Sequence, residues 1–326
     1  MPKQKKSPRS GTAKGGSRYK VKNWSEYNRS LKNRGSITLW MGEDMLEQWY
    51  YKGKKQKGAQ YKYSDKCIEA CCIVRKVYHL ALRQTEGLVK SIVGILQLDV
   101  EVPDYTVICR RNKKLKISSV LVKRIEAGEH LHIVMDSTGL KVYGEGEWKV
   151  RQHGWGKHRT WRKIHIALTP DDGVVHAALL TTNSVDDAAV VEPVLEKIKG
   201  QVKKFGGDGA YDKTKVYKIL EKEKIKPIIP PRKNAKISKH GNSRGRTKPR
   251  DKAIRYIRQH GRKQWKKTIH YHKRSIAETT MFRYKTILGD KLQSRLFESQ
   301  CVEALLSCKI LNKMNACGMP VSVKVR

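Results

Sequence analysis

Residues 130–144 read HLHIVMDSTGLKVYG, and this stretch opens the part of the chain that determines the fold. HLHIVMD is apolar enough for a buried strand that ends at Asp136, and STGLKVYG continues as extended chain. Residues 159–169 and 174–182 alternate like two further strands. The Asp-Gly pair at 172–173 lies between them and is typical of a tight turn, so the sequence predicts a hairpin.

Helices and strands alternate after this hairpin. Apolar residues recur at helical spacing in 188–200 and 212–224, and short strands are predicted at 203–207 and 226–231. A final helix is expected after residue 268. Three strands followed by this alternation predict an α/β fold with a mixed sheet.

Upstream of residue 126 the sequence predicts mainly helices. SITLWM at 36–41 alternates like a strand, whereas Ser64 or Asp65 can cap a helix. Thr85 can cap a second helix, and Pro103 suits the first position of a third. Helix, turn and basic last helix are typical of a helix-turn-helix unit, although an ordinary three-helix scaffold with a solvated basic end is the alternative. The cations at that end, which would contact DNA, are Arg110, Arg111, Lys113, Lys114 and Lys116.

The charge of the chain indicates a polyanionic partner. Lys and Arg number 70 against 30 acids, which gives a net charge of +40. A compact protein this basic repels itself unless a polyanion neutralises it, and we expect that polyanion to be nucleic acid. No stretch approaches 18 apolar residues, which argues against a membrane span. The N-terminus lacks the apolar stretch of a secretory signal, so we expect a cytoplasmic protein.

The densest positive segment is 232–274, which contains Asp251 as its one acid. Aromatic residues among cations can stack on bases or sugars, so Trp265, Arg255 and Arg258 are predicted DNA contacts. A solvated surface loop is the alternative. The seven cysteines show no paired metal-binding spacing, and the cluster Cys67, Cys71 and Cys72 is expected to be buried free thiols.

Three acids have the positions that metal-dependent phosphodiester chemistry requires. Asp136 and Asp208 each follow a predicted strand, and Glu278 is the only acid between Asp251 and Asp290. Two metal ions can activate water, orient the phosphate and stabilise the leaving oxygen, and Mg²⁺ prefers such carboxylate ligands. Glu278 as a simple salt-bridge partner is the alternative. The remaining acids near these motifs are expected in turns and helix caps: Asp171, Asp172, Asp186, Asp187 and Asp212.

YHKRSIAETTMFRYK at 271–285 has the spacing Y-x2-R-x3-E-x6-K and resembles the YREK signature of transposases in the IS4 and IS5 families. VMDSTGLKVYG at 134–144 and DGAYD at 208–212 are similar to the first- and second-aspartate motifs of those families. WKVRQHGWGKHRTWRKIHIA at 148–167 also resembles the segment after the first aspartate. The likeness covers most of residues 20–320 and is closest to the IS5 family, group IS903.

This resemblance implies an RNase H-like catalytic core with Asp136, Asp208 and Glu278 as its metal-binding catalytic triad. It implies two Mg²⁺ ions, for which Mn²⁺ is expected to substitute. Tyr271, Arg274 and Lys285 would contact DNA at the transposon end. The predicted organisation is a flexible basic arm or solubilising tail at 1–22, a small DNA-binding module at 23–60, the helix-turn-helix-like region at 61–125, and a catalytic domain at 126–326 with a basic insertion at 232–268.

The implied activity is DNA transposition. The enzyme would bind terminal inverted repeats, nick the ends by hydrolysis and join the 3′-OH ends to target DNA by transesterification, as a homodimer or higher oligomer on double-stranded DNA. Its expected location is the bacterial cytoplasm, on nucleoid DNA. A noncatalytic DNA-binding regulator derived from a transposase and a standalone RNase H-like nuclease remain the alternatives.

Overall fold

The computed structural model of the protein describes residues 19–54, 58, 60–117, 131–142, 161–198, 202–238 and 248–325. Some predicted features lie outside these residues, namely residues 1–18 of the arm, the boundary at 125/126, the segment 148–160 and residues 239–247 of the basic insertion. Within the described ranges, no helix has both the length and the apolar character needed to cross a bilayer.

The helices and strands follow one another along the chain as β1 (Tyr19–Val21), α1 (Trp24–Asn33), α2 (Ile37–Trp40), α3 (Glu43–Glu47), α4 (Asp65–Val77), α5 (Leu82–Ile95), α6 (Tyr105–Asn112), β2 (Leu131–Val142), β3 (Trp161–Leu168), β4 (Val175–Thr182), α7 (Val191–Glu196), β5 (Val202–Gly206), α8 (Thr214–Lys222), β6 (Lys226–Ile228), α9 (Pro249–Thr268), α10 (Ser275–Leu288), β7 (Lys291–Leu292), α11 (Phe297–Ala316) and β8 (Ser322–Lys324). Short 3₁₀ turns cover Asp187–Val190, Gly209–Tyr211 and Tyr271–Arg274.

The N-terminal part differs from the sequence prediction in two places. Strand β1, in the last residues of the predicted arm, pairs antiparallel with β8 near the other end of the chain. The segment 36–41 was predicted as a strand and contains helix α2 instead. The reason is tertiary packing, because the helical turn buries the Trp40 indole, whose N–H donates to the backbone carbonyl of Arg34 at 3.0 Å.

Helices α4, α5 and α6 form the predicted three-helix region, but two of their starts differ. Ser64 caps α4 as predicted, by accepting from the backbone N–H of Cys67. Thr85 lies inside α5, because that helix already begins after Ala81. Asp104 caps α6, so Pro103 precedes the helix instead of opening it. The α5–α6 connection spans residues 96–104, which is longer than the short turn of a typical helix-turn-helix.

The strands of the second half form the predicted mixed sheet. Its main strand order is β4-β3-β2-β5-β6, and β7 pairs with the far end of β2. β2, β3 and β4 pair antiparallel, whereas β5 and β6 run parallel to β2. A long central strand with antiparallel neighbours on one side and parallel neighbours on the other is an RNase H-like sheet, and the predicted fold class is therefore confirmed.

Two hydrophobic cores lie on opposite faces of this sheet. Ile133 and Met135 of β2 belong to the core under α7 and α8, whereas Val134 belongs to the core shared with α4, α10 and α11. Successive side chains of a strand point to opposite faces. Asp136, two residues after Val134, is therefore on the face of the α10 core.

Two long helices were not predicted individually. α9 lies inside the basic segment and carries few apolar residues, because only one side of it packs on the protein, through Ile254 and Trp265. α11 is buried on most of its sides, because it packs on the sheet as well as on α4. The predicted buried thiols Cys67, Cys71 and Cys72 are confirmed, and they lie on the side of α4 that faces this core.

A buried ion pair joins the N-terminal helices to α11. Lys76 Nζ of α4 lies 2.9 Å from Glu303 Oε1 of α11, and each side chain is 6% exposed. Glu303 also accepts from the backbone N–H groups of Gln293 and Ser294. Burial would raise the pKa of Glu303, but Lys76 and these amides outweigh burial and hold it below its ordinary value.

We expect Lys76→Met to lower the free energy of unfolding by about 3–5 kcal/mol at pH 7, because it leaves a buried carboxylate without its cation. In the wild type, the contribution of Glu303 is present above the unfolded-state pKa of about 4.3 and is lost as the pH falls through the lower folded-state pKa. Urea denaturation at pH 7 measures the difference. Lys66→Met, an exposed change on the same helix, is the control. Equal stability of the two variants would contradict a stabilising role for the pair.

Candidate active site

Asp136 lies within β2, and the predicted strand end at this residue is therefore wrong. The strand continues to Val142 because β3 pairs with it as far as Lys141 and β7 pairs with Lys141 and Val142, and Asp136 itself is opposite Ile166. The parallel neighbour β5 stops earlier, where Gly206 pairs with Val134. Asp136 is thus beside the carboxyl end of a parallel strand, which is where sites of α/β sheets lie. The backbone N–H of Ser137 donates to its Oδ1 at 2.9 Å.

Asp208 follows β5 by two residues, in a loop whose course is tightly constrained. A Cβ on Gly207 would lie 2.7 Å from the Tyr211 ring, so only glycine fits there without a shift. The Tyr211 ring is buried and contacts Phe205 edge-on. The backbone N–H of Ala210 donates to Asp208 Oδ1 at 2.9 Å, and this bond fixes the carboxylate at the start of the 3₁₀ turn.

Glu278 lies in the first turn of α10, and Arg274 holds it. The Arg274 guanidinium donates to Glu278 Oε1 from Nη1 at 3.0 Å and from Nη2 at 2.8 Å. The same Nη1 lies 4.0 Å from Asp136 Oδ2. Helix α10 packs against β2, which brings this pair to Asp136. The salt bridge that was the alternative role of Glu278 is therefore observed, and its partner Arg274 also lies near Asp136.

The charges of the other two acids act on Asp136. Burial raises the pKa of the Asp136 carboxyl above its ordinary value, and the charges of Asp208 and Glu278 raise it further. The Arg274 guanidinium opposes this rise. The charges of the same three acids also act on Tyr271, whose pKa is raised mainly by burial. Acids from three distant segments of the chain are therefore close enough for their charges to affect the same groups.

The donor set suits a hard divalent cation, but the present arrangement is not a closed metal site. Three carboxylates supply the oxygen ligands that Mg²⁺ prefers. Within the part of the chain that the structure describes, no three His, Cys, Asp or Glu side chains are close enough together to hold an ion. The Arg274 guanidinium lies between Glu278 and Asp136, so a shared cation would require Glu278 to leave Arg274.

Tyr271 and Lys285 are the other two residues of the YREK segment. The Tyr271 hydroxyl accepts from Arg274 Nε at 3.2 Å, and Lys266 lies over its ring. Lys285 is a partly exposed residue of α10, two turns after Glu278. The helical spacing therefore places Lys285 on the same side of α10 as Glu278 and Arg274.

The predicted contacts in the basic segment have different surroundings. Arg258 is exposed on α9, and Arg255 is partly exposed on the same helix. Trp265 is only 5% exposed, and its ring lies 6.3 Å from that of Tyr271. The predicted role of Trp265 in stacking on bases at the surface is therefore wrong, because its indole is buried on the packed side of α9 next to Tyr271.

The basic end of α6 also divides into exposed and buried residues. Arg110, Lys113 and Lys114 are exposed. Arg111 is buried, donates to Asp65 Oδ1 at 2.7 Å and to the carbonyl of Tyr63, and lies over the Tyr61 ring. Its guanidinium is thus engaged inside the protein, and we do not assign Arg111 a DNA contact.

Asp212 was expected to cap a helix, but its side chain has a different role. Its carboxylate does not cap α8, and it receives hydrogen bonds from Arg250 and Arg232 instead. Both partners lie far along the chain, inside the basic segment. No local pattern could have identified this pairing. Asp186, in contrast, caps its turn as predicted.

Comparison with known proteins places this chain in a family. Residues 127–313 match the family described as "Transposase DDE domain", and residues 32–145 match a second family of the same description. A similar solved structure is the cryo-EM structure of the piggyBac transposase synaptic complex with hairpin DNA. It has 10% sequence identity and a TM-score of 0.36, and the match covers 86% of this chain and 74% of that one. Because the first match spans more than half of the chain, this protein belongs to the DDE-domain transposases.

Proposed function

We propose that the protein is a DNA transposase that binds the terminal inverted repeats of an insertion sequence, nicks their ends by metal-dependent hydrolysis and joins the 3′-OH ends to target DNA. One observation carries this proposal. Arg274 contacts Glu278 and lies 4.0 Å from Asp136, whose pKa is raised by burial and also by the charge of Asp208. Arg274 thus connects Glu278 of one segment with Asp136 of another, and the charge of Asp208 from a third segment acts on Asp136. A noncatalytic DNA-binding protein has no need to place these acids near one another.

Asp136, Asp208 and Glu278 are the residues that we propose as metal ligands, with two Mg²⁺ ions as the cofactor and Mn²⁺ as a substitute. When bound, the metal ions would supply an activated water and charge stabilisation at the phosphate. Asp136 is fixed in the sheet and Asp208 by its turn, whereas Glu278 is 64% exposed. Glu278 is therefore the acid that can change partner with the least loss of packing.

Arg274 has two roles in this proposal. In the protein without metal it offsets the repulsion among the acids by contacting Glu278 and lying near Asp136. With Glu278 as a metal ligand, the guanidinium would be free to bind a DNA phosphate, for which its fork of donors is well suited. Tyr271 and Lys285 lie on the same segment and would contact the same transposon end.

The exposed cations of α9 and α6 support DNA as the partner. Arg255 and Arg258 on α9, and Arg110, Lys113 and Lys114 on α6, would contact phosphates and position the duplex. Two ends must be held together for transposition, so we propose a homodimer or higher oligomer on DNA. The motifs quoted above also support membership of the IS5 family, group IS903. We propose that the protein acts in the bacterial cytoplasm, on nucleoid DNA.

An assay on the inverted repeats that flank the gene tests this function. We expect sequence-specific binding of these ends, nicking that requires Mg²⁺ or Mn²⁺ and stops with EDTA, and joining of the nicked ends to a plasmid. A scrambled duplex of equal length is the control. Specific binding without nicking would favour the noncatalytic regulator, and nicking without end specificity would favour an RNase H-like nuclease.

A further inference from the structure

Asp212 is a buried acid that the proposed catalytic chemistry does not use. Its carboxylate is fully buried and accepts from Arg250 Nε at 2.7 Å and Nη2 at 3.2 Å. It also accepts from the backbone N–H of Arg232 at 2.9 Å and from the Tyr217 hydroxyl at 3.2 Å. Four donors on one buried carboxylate form a rigid junction, because each would lose a partner if the acid moved.

This junction joins the loop of Asp208 to the start of the basic helix. Asp208 begins the 3₁₀ turn that Asp212 ends, and the backbone N–H of Asp212 donates to the carbonyl of Gly209. Arg250 is in the first turn of α9 and also donates to the carbonyl of Lys236. A shift of α9 would therefore be transmitted through Arg250 to the segment that carries Asp208.

The other end of α9 is connected to Glu278 through a chain of side-chain contacts. Trp265 contacts the Tyr271 ring, and the Tyr271 hydroxyl accepts from Arg274, which holds Glu278. Between the two ends the helix is interrupted at Gly261, whose φ of 81° is not helical. The segment before this break is connected to Asp208, and the segment after it is connected to Glu278.

We propose that Asp212 and Arg250 are positioning residues, which couple DNA bound along α9 to the placement of Asp208 for cleavage. This inference rests on the proposed function, because it assigns Asp208 to the metal site and α9 to DNA. Burial would raise the pKa of Asp212, but Arg250 and the Arg232 amide hold it below its ordinary value, so the junction is an ion pair at neutral pH.

The test compares Asp212→Asn with Asp251→Asn. Asp251 is also buried on α9, and it accepts from the backbone N–H and the hydroxyl of Ser238, which lies outside the Asp208 loop. We expect Asp212→Asn to slow single-turnover nicking of fully bound ends about 30-fold, with DNA affinity within about 3-fold of wild type. Asp251→Asn should leave the nicking rate per folded, bound protein unchanged. Asp212→Glu with Arg250→Lys, which keeps the opposite charges, should restore part of the rate.

Hydrogen exchange of residues 207–213 gives a second readout that needs no catalysis. DNA binding should slow exchange there in the wild type and in Asp251→Asn, but not in Asp212→Asn. Equal losses in both variants, or DNA-induced protection that survives Asp212→Asn, would overturn the positioning role. If the wild type binds its ends and protects this loop but does not nick, the proposed enzymatic function fails while the coupling stands.

Discussion

Asp136→Asn is expected to reduce nicking of the transposon end by about 1000-fold or more, which corresponds to roughly 4 kcal/mol of lost transition-state stabilisation. The substitution keeps the shape of a side chain that is only 18% exposed, so the strand pairing of β2 should persist. What disappears is the negative charge at the one acid held within the central strand. Binding of the ends should stay near wild type or become tighter, because the charge removed would repel DNA.

Glu192→Gln is the matched control for Asp136→Asn, because it removes the same charge from an exposed position on α7. Both proteins are compared by single-turnover nicking at saturating enzyme over a range of Mg²⁺ concentrations. The control should nick at the wild-type rate. Nicking by Asp136→Asn within about 10-fold of wild type would show that the metal site has been wrongly assigned.

Removing four cations from α9 should have the second largest effect, and the effect should be on DNA affinity. The exposed residues Lys252, Arg258, Lys263 and Lys267 are changed together to Gln. If each contacts one phosphate, the slope of log affinity against log salt should fall by about 3.6, since each neutralised phosphate contributes about 0.9. At a fixed low salt concentration the affinity should fall roughly 100-fold.

A second fourfold variant separates the position of these charges from their number. Lys215, Lys218 and Lys222 of α8, together with Lys226 of β6, are also exposed, and changing them to Gln removes the same net charge. Fluorescence anisotropy from 50 to 300 mM NaCl measures both variants. If they lose the same affinity and the same salt slope, the overall charge binds DNA and α9 has no special role.

The part of the fold that follows from local patterns was predictable. Apolar strands and helices of ordinary length appear in the sequence as periodicities, so the order of β2, β3, β4, α7, β5, α8 and β6 could be predicted. The residues of the proposed triad could be named from the resemblance of short motifs, since the spacing within each motif is local. The exceptions are elements whose secondary structure depends on the residues that pack against them in the folded protein. The segment 36–41 has the alternation of a strand, but the burial of Trp40 makes it helical.

The sequence by itself determined the sheet, the basic character of the chain and which acids could serve as ligands. Only the tertiary structure decided which cation meets which acid. Arg274 lies between Glu278 and Asp136, Arg250 binds Asp212, and Arg111 is enclosed by Asp65 and Tyr61. With 70 cations for 30 acids, many pairings have similar energies in the unfolded chain. Burial selects among them, because a desolvated charge is tolerated only where its partner is held in place.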